Sequence, residues 1–189
     1  HSENSMYHAV RHPQTGTLYA ATGSVHDMYQ STRLADNILD AAGVTGHVLF
    51  SNDSGNAWQQ LHDFGDVVMW LALDPNDPET LYASVVNHGA GTGGIWRTRN
   101  LSAGAGSTWT QLPAPPRTEG HAFNIHVLSD GALLATYSGR RNAGGAFTAS
   151  SGVFLSTDAG ASWLDRSDAG MHYWTKDVVI DPADATQST

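Results

Sequence analysis

Short apolar segments that end in polar turns recur along the chain and predict a repeated β-sheet unit. Four segments have the character of a first strand, at residues 7–13, 70–75, 125–130 and 176–182. Second segments follow at 18–22, 81–85 and 133–137, and third segments at 46–50, 94–97 and 152–155. Fourth segments begin at Trp58, Trp109 and Trp163, which are 51 and 54 residues apart. Four strands per repeat of about 50 residues are typical of β-propeller blades.

The polarity of the segments predicts their order within each blade. First segments such as 67–73 are apolar on both faces, as expected near the propeller axis, where neighbouring blades cover both sides. Fourth segments such as 59–60 and 110–111 are polar, as expected at an outer edge. We therefore predict an all-β propeller segment with blades at about 5–62, 66–113 and 122–166, and the first strand of a fourth blade at about 174–182.

Three blades do not close a propeller, which typically needs four to eight. An open stack would expose apolar sheet faces to water. We therefore expect further blades, supplied either by a longer parent chain or by a second copy of this chain.

Composition excludes several classes of protein. The hydrophobic residues, 40% of the chain, form no run of membrane-spanning length. Eighteen acidic against nine basic residues give a net charge of -9, which disfavours nucleic acid as a partner. The chain has no cysteine, and no histidine pair has the spacing of a helical zinc site. His8, His12 and His126 lie in or beside predicted strands, so we predict hydrogen-bonded structural histidines, with no metal and no cofactor.

Two turns between third and fourth strands share the pattern Ser-x-Asp-x-Gly-x-x-Trp. The aspartate can accept backbone N–H bonds, the glycine supplies a positive φ, and the tryptophan can pack over the hairpin. The middle blade has Asn100 at the aspartate position and an insertion before Trp109. The residues of the two complete motifs are Ser51, Asp53, Gly55, Trp58, Ser156, Asp158, Gly160 and Trp163.

These turns resemble the Asp-box, or BNR repeat, of sialidases, xyloglucan-cleaving glycoside hydrolases of family 74, sortilin-type receptors and a photosystem assembly factor. Residues 74–83 add Asp-Pro-x-x-Pro before a Tyr-Ala strand, which is similar to the family 74 and sortilin-like type. The resemblance implies a propeller in which the box is a folding element, so Asp53 and Asp158 are expected to be structural. It also implies that ligands bind on the opposite face. The Arg-Ile-Pro motif of sialidases is absent.

Loops opposite the boxes are the longest, and long loops on a rigid scaffold commonly carry function. They span residues 23–45, 87–93, 113–124, 138–151 and 165–174. Aromatic, amide and charged side chains suit the binding of a polysaccharide or oligosaccharide. The ligand-binding candidates are Tyr29, Trp70, His88, Glu119, His121, Arg140, Arg141, Tyr173 and Trp174. As catalytic carboxylates we single out Asp66 and Asp177, which lie nearest the inner strands.

The leading hypothesis is a secreted or periplasmic propeller that acts on polysaccharide, as an endo-acting glycoside hydrolase with two carboxylates on the long-loop face. The alternative is a non-catalytic propeller that binds glycan or protein, like a lectin or a receptor module. A scaffold or assembly factor is a third hypothesis. Hydrolysis predicts two carboxylates facing each other across a groove, whereas binding predicts aromatic surfaces without such a pair.

Overall fold

The computed structural model describes residues 5–24, 44–87, 93–139, 146–173, 175–181 and 183–184. Within these residues, twelve strands form three four-stranded antiparallel sheets, and in each sheet the strands lie side by side in chain order. This confirms the all-β propeller architecture predicted from the repeats. Blade 1 comprises β1 (Ser5–Arg11), β2 (Leu18–Gly23), β3 (His47–Ser51) and β4 (Gln59–Asp63); blade 2 comprises β5 (Val68–Leu73), β6 (Leu81–Val85), β7 (Gly94–Thr98) and β8 (Trp109–Gln111); blade 3 comprises β9 (Ala122–Val127), β10 (Leu133–Tyr137), β11 (Gly152–Ser156) and β12 (Leu164–Asp165).

The hydrophobic core lies between the blades rather than inside any one of them. One cluster joins blades 1 and 2 around Leu71 and Leu81, and a second joins blades 2 and 3 around Tyr82 and Phe154. Strand β5 contributes to both clusters, because Leu71 faces blade 1 while the adjacent Trp70 packs against the blade 3 side. Alternation of side chains along a strand thus explains why first strands are apolar on both faces.

Each first strand carries a β-bulge near its start. The antiparallel pairing with the second strand skips Tyr7 in blade 1, Met69 in blade 2 and Phe123 in blade 3. A bulge re-aims the side chain of the unpaired residue. These three side chains accordingly meet in a separate apolar cluster with Val67 and Val86.

Residues 175–181 take the place of a fourth first strand without pairing as one. The Thr136 hydroxyl of blade 3 donates to the carbonyl of Lys176 at 3.1 Å, just as the Ser84 hydroxyl of blade 2 donates to the carbonyl of Phe123 at 3.1 Å. The described part of the strand predicted at about 174–182 is therefore docked against blade 3 but forms no ladder. A first strand pairs only with its own second strand, and the described part of the chain contains none after residue 181.

The box turns are closed by their own side chains. In blade 1 the Ser51 hydroxyl donates to Asp53 Oδ1 at 2.7 Å, and Asp53 Oδ1 also accepts from the Ala57 amide at 2.9 Å. Gly55, at φ +88°, donates its amide to Ser51 Oγ at 2.9 Å. The same three bonds recur in blade 3, made by Ser156, Asp158, Gly160 and Ser162.

The middle blade keeps this hydrogen-bond pattern with an amide in place of a carboxylate. Asn100 Oδ1 accepts from the Thr98 hydroxyl and from the Thr108 amide, both at 2.9 Å. An amide oxygen therefore suffices for the box, and the residues inserted before Trp109 loop out beyond it.

We expect Asp158→Asn to weaken the dependence of stability on pH in acid. Bonds from the Ser162 hydroxyl and amide and from Ser156 lower the pKa of Asp158 from 3.8 to about 2. The carboxylate is thus more acidic in the folded than in the unfolded chain, so its contribution is present above about pH 4 and is lost towards pH 2. Chemical denaturation at several pH values from 2 to 6 measures how steeply the free energy of unfolding changes with pH.

Asn100→Asp is the reciprocal variant for this prediction. The introduced carboxylate would accept the same bonds from Thr98 and Thr108, so stability should fall more steeply in acid than in the wild-type protein. Equal slopes in the wild type and both variants would contradict the prediction.

Candidate functional site

The two faces of the propeller segment differ in their loops. Turns between first and second strands share one face with the box turns, as shown by the Thr17 hydroxyl, which donates to Asn52 Oδ1 at 2.8 Å. We call this the box face. The opposite face, the loop face, carries the blade connections and the loops between second and third strands. Of the residues predicted to bind ligand there, Tyr29, His88, Arg140, Arg141 and Trp174 lie outside the described residues.

A cavity of about 160 Å³ lies where the first strands meet. First strands enter each blade from the loop face, and the bulges lie within their first three residues, so the cavity is at that end of the axis. We call it the axial cavity. It brings together Trp70 and Asp177, two of the residues predicted from sequence. Its described lining residues are Tyr7, Met69, Trp70, Phe123, Lys176 and Asp177.

Aromatic and charged side chains form a continuous row beside this cavity. The His8 ring stacks on the Trp70 indole with centroids 3.6 Å apart, and the edge of His126 approaches the same indole at 6.0 Å. His126 Nε2 lies 3.8 Å from Asp177 Oδ1, which also accepts from Asn124 Nδ2 at 2.5 Å. Each of the three blades thus contributes to one row that ends at Asp177.

The surroundings of His8 favour its uncharged form. Burial lowers the pKa of His8, the nearby His126 lowers it further, and Asp177 acts in the opposite direction. Nδ1 of His8 accepts from the Leu71 amide at 3.3 Å, which leaves the proton on Nε2. The stacked His8 and Trp70 rings therefore form a neutral support, and the charges at the cavity belong to Asp177 and Lys176.

The other acidic candidates on the loop face have different surroundings. Asp66 is only 1% exposed, and it does not line the axial cavity. Glu119 Oε2 accepts from the hydroxyls of Thr148 at 2.6 Å and Ser150 at 3.2 Å, so it ties two loops together. The side chain of Asp177 is 46% exposed. The catalytic pairing of Asp66 with Asp177 stays a prediction.

The remaining described candidates do not line the axial cavity. His121 is completely buried, at a bridge to Val86 between blades 2 and 3. Tyr173 is 44% exposed, and its ring centroid lies 4.1 Å from that of Phe147. The Tyr173 carbonyl accepts from the Gly139 amide at 2.7 Å, which holds Tyr173 against blade 3.

Sequence reasoning missed Tyr7, His8, Phe123 and His126 as members of this site. His8 and His126 are predicted from sequence as structural strand histidines, and Tyr7 and Phe123 belong to no predicted site. The sequence does contain a signal, because Tyr7 and Phe123 share one position in the first-strand segments. That position is occupied in turn by Tyr7, Met69, Phe123 and Lys176. The bulge that turns three of them towards each other leaves no clear mark in the hydrophobic pattern.

Among the residues that the structure describes, no group of three or more His, Cys, Asp or Glu side chains comes close enough together to hold a metal ion. In the same part of the chain, no helix has the length and apolar character needed to cross a membrane.

Comparison with solved structures identifies propeller proteins at low sequence identity. A gluconolactonase from Xanthomonas campestris is similar over 90% of this chain and 49% of its own, with a TM-score of 0.59 and 17% identity. PorZ, a surface component of the type-IX secretion system of Porphyromonas gingivalis, matches 87% of this chain and 20% of its own, with a TM-score of 0.51 and 16% identity. A Hadza microbial sialidase matches 87% of this chain and 32% of its own, with a TM-score of 0.45 and 15% identity.

These similarities concern the fold. The chain spans about half the length of the gluconolactonase and about a fifth of PorZ. No protein-family model matches the sequence, and no curated protein matches it either.

Proposed function

We propose that the chain is part of a glycan-binding propeller and that the axial cavity is its binding site. The observation that carries this proposal is the position of Asp177. It is the one carboxylate among the described lining residues, and it shares the cavity with the rings of Tyr7, Trp70 and Phe123. Aromatic surfaces can pack against the C–H face of a sugar while a carboxylate accepts bonds from its hydroxyls.

The size of the cavity limits what it can hold. About 160 Å³ is below the 300–1,000 Å³ typical of small-molecule sites. We infer that it takes one end or one ring of a longer glycan, and that further contacts come from the surrounding loops and from additional blades. Those blades would belong to a longer parent chain or to a second copy. A role outside the cytoplasm, secreted or periplasmic, fits a polysaccharide ligand.

Binding is better supported than hydrolysis. Glycosidases generally need two carboxyl groups flanking the scissile bond, about 5 to 9.5 Å apart. Among the described acids, Asp66 is buried and Glu119 is hydrogen-bonded by two hydroxyls. In this proposal Asp177 contacts the sugar, and the described residues that line the cavity include no second exposed acid. The endo-acting hydrolase remains the alternative.

Asp177→Asn tests this function. We expect about tenfold weaker binding to the polysaccharide that the wild-type protein binds best, because a charge-assisted hydrogen bond to a sugar hydroxyl is replaced by a neutral one. Affinity electrophoresis in xyloglucan, mixed-linkage glucan and arabinoxylan measures binding, and release of reducing ends measures hydrolysis.

The matched control is Asp181→Asn, on the same segment. Asp181 caps a local turn through the Ala183 amide at 2.8 Å and does not line the cavity, so binding should not change. Equal binding by the wild type and Asp177→Asn, or no binding to any of the three polysaccharides, would contradict the proposal. Reducing-end release that disappears in Asp177→Asn would favour the hydrolase instead.

A further inference from the structure

The box turn of blade 2 is longer than a box requires. The connection between β7 and β8 has ten residues, whereas the corresponding connections in blades 1 and 3 have seven. Asn100 already completes the box bonds, so the extra residues do not serve the turn itself. They form a short 3-10 segment, Leu101–Gly106, on the box face.

The 3-10 segment is fixed against the border between blades 1 and 2. Leu101 is 2% exposed and belongs to the core cluster that joins these blades. The Leu101 amide donates to the Glu79 carbonyl at 3.1 Å, and the Ser102 amide donates to Glu79 Oε2 at 2.9 Å. A Cβ atom on Gly104 would lie 3.9 Å from the Phe50 ring. The insertion therefore forms a wall that reaches blade 1.

This wall encloses a cleft of about 490 Å³ between blades 1 and 2. We call it the inter-blade cleft. Its volume falls within the range of small-molecule sites, unlike that of the axial cavity. Tyr19 and Phe50 supply aromatic surface, and Gln14, Asn52, Glu79 and Ser102 supply polar groups.

One hydrogen bond across the blade border, and further bonds within each blade, fix the walls of the cleft. His12 is buried, and its Nε2 bonds the Pro78 carbonyl of blade 2 at 3.0 Å. Nδ1 of His12 accepts from the Gln14 and Thr15 amides, each at 3.2 Å, which leaves Nε2 as the donor to the Pro78 carbonyl. The opposite wall is held through Glu79 by the 3-10 segment. A ligand would thus meet a preformed site, at a reduced entropic cost.

We propose that the inter-blade cleft binds a neutral sugar ring, as a second glycan site on the face opposite the axial cavity. No lysine or arginine is among its described lining residues, so an anionic ligand would find no counter-charge. The hydroxyl and amide groups of Thr15, Asn52 and Ser102 can both donate and accept hydrogen bonds, as sugar hydroxyls do. The Phe50 and Tyr19 rings offer apolar surface for the sugar's C–H groups.

Ser102→Trp tests this proposal by filling the cleft. The Ser102 side chain is exposed, so the substitution removes no core contact. Titration calorimetry uses cellotetraose, xylotetraose and maltotetraose as neutral probes and sialyllactose as an anionic one. We expect at least one neutral probe to bind the wild-type protein. In NMR spectra the same probe should shift the backbone amide signals of Thr15, Thr17 and Ser102. Its affinity should fall at least tenfold in Ser102→Trp.

Ala161→Trp is the matched control, because Ala161 is an exposed residue in the box turn of blade 3. Ala161→Trp should bind the probe like the wild type. Circular dichroism verifies that both tryptophan variants are folded. Unchanged affinity in Ser102→Trp, stronger binding of sialyllactose than of the neutral probes, or no binding of any neutral probe would overturn the proposal.

Discussion

Replacing Phe154 by alanine is expected to lower the free energy of unfolding by about 4 kcal/mol. The Phe154 side chain is completely buried in the cluster that joins blades 2 and 3. Its ring lies edge-to-face against Tyr137, with centroids 5.6 Å apart at 88°. The substitution removes this contact and leaves a cavity that close-packed neighbours cannot fill. Urea denaturation followed by tryptophan fluorescence measures the loss.

Leu155→Ala is the matched control on the same strand. Leu155 points to the other face of β11 and is only partly buried, so we expect a loss of about 1 kcal/mol. The difference between the two variants measures how much stability the interface between blades 2 and 3 provides. Equal losses of unfolding free energy in the two variants would contradict the conclusion that this interface stabilises blade 3 more than its other face does.

Arg117→Ala is expected to destabilise the protein by about 3 kcal/mol. Nε of Arg117 donates to Asp165 Oδ2 at 2.7 Å, and Nη2 donates to Ser167 Oγ at 2.7 Å. Nη1 donates to the carbonyls of Ser151, at 2.8 Å, and Ala149. Because Arg117 and Asp165 are about one third exposed, water screens the pair and the loss stays below the sum of separate bonds.

The same contacts predict how the loss depends on pH. The Arg117 guanidinium holds the pKa of the Asp165 carboxyl well below its usual range. The resulting stabilisation is present above about pH 4 and is lost as the pH falls through the folded-state pKa of Asp165. The difference in stability between the wild type and Arg117→Ala should therefore be largest near neutral pH and become smaller in acid. A difference that stays constant down to pH 2 would contradict this.

Arg166→Ala provides the control, because Arg166 is an exposed arginine next to the same strand. We expect its stability to stay within about 0.5 kcal/mol of the wild type.

Glycan binding by Arg117→Ala shows whether Arg117 stabilises the fold or contacts the ligand on the loop face. If Arg117 only stabilises the fold, Arg117→Ala should bind glycan as well as the wild type wherever the variant is folded. Weaker binding by a fully folded variant would instead mean that Arg117 contacts the ligand.

The repeat period and the box motif made the blades predictable. Trp58, Trp109 and Trp163 recur because each lies at the start of a fourth strand or directly before it, and local hydrogen bonds build the turn that precedes it. A bond between Ser51 and Asp53 spans two residues and depends little on the rest of the molecule. Such short-range features can be read from sequence, because the interacting groups are neighbours in the chain.

The candidate site could be predicted only in part. Asp177 was identified from its place near an inner strand and Trp70 as a ligand-binding candidate, and the structure brings them to one cavity. Asp66 was selected by the same reasoning, yet it is buried. Exposure depends on which strand or loop covers a residue, and that cover comes from segments far away in sequence.

The amino-acid sequence by itself therefore determined the blades, their strand order and the closure of their turns, because these rest on periodicity and on contacts between near neighbours. Tertiary structure alone decided that Tyr7, Met69 and Phe123 meet at the axis and that the blade 2 insertion walls a cleft against blade 1. The physical reason is that a single unpaired residue in a strand redirects a side chain, and its new neighbours lie one blade away, more than 50 residues along the chain.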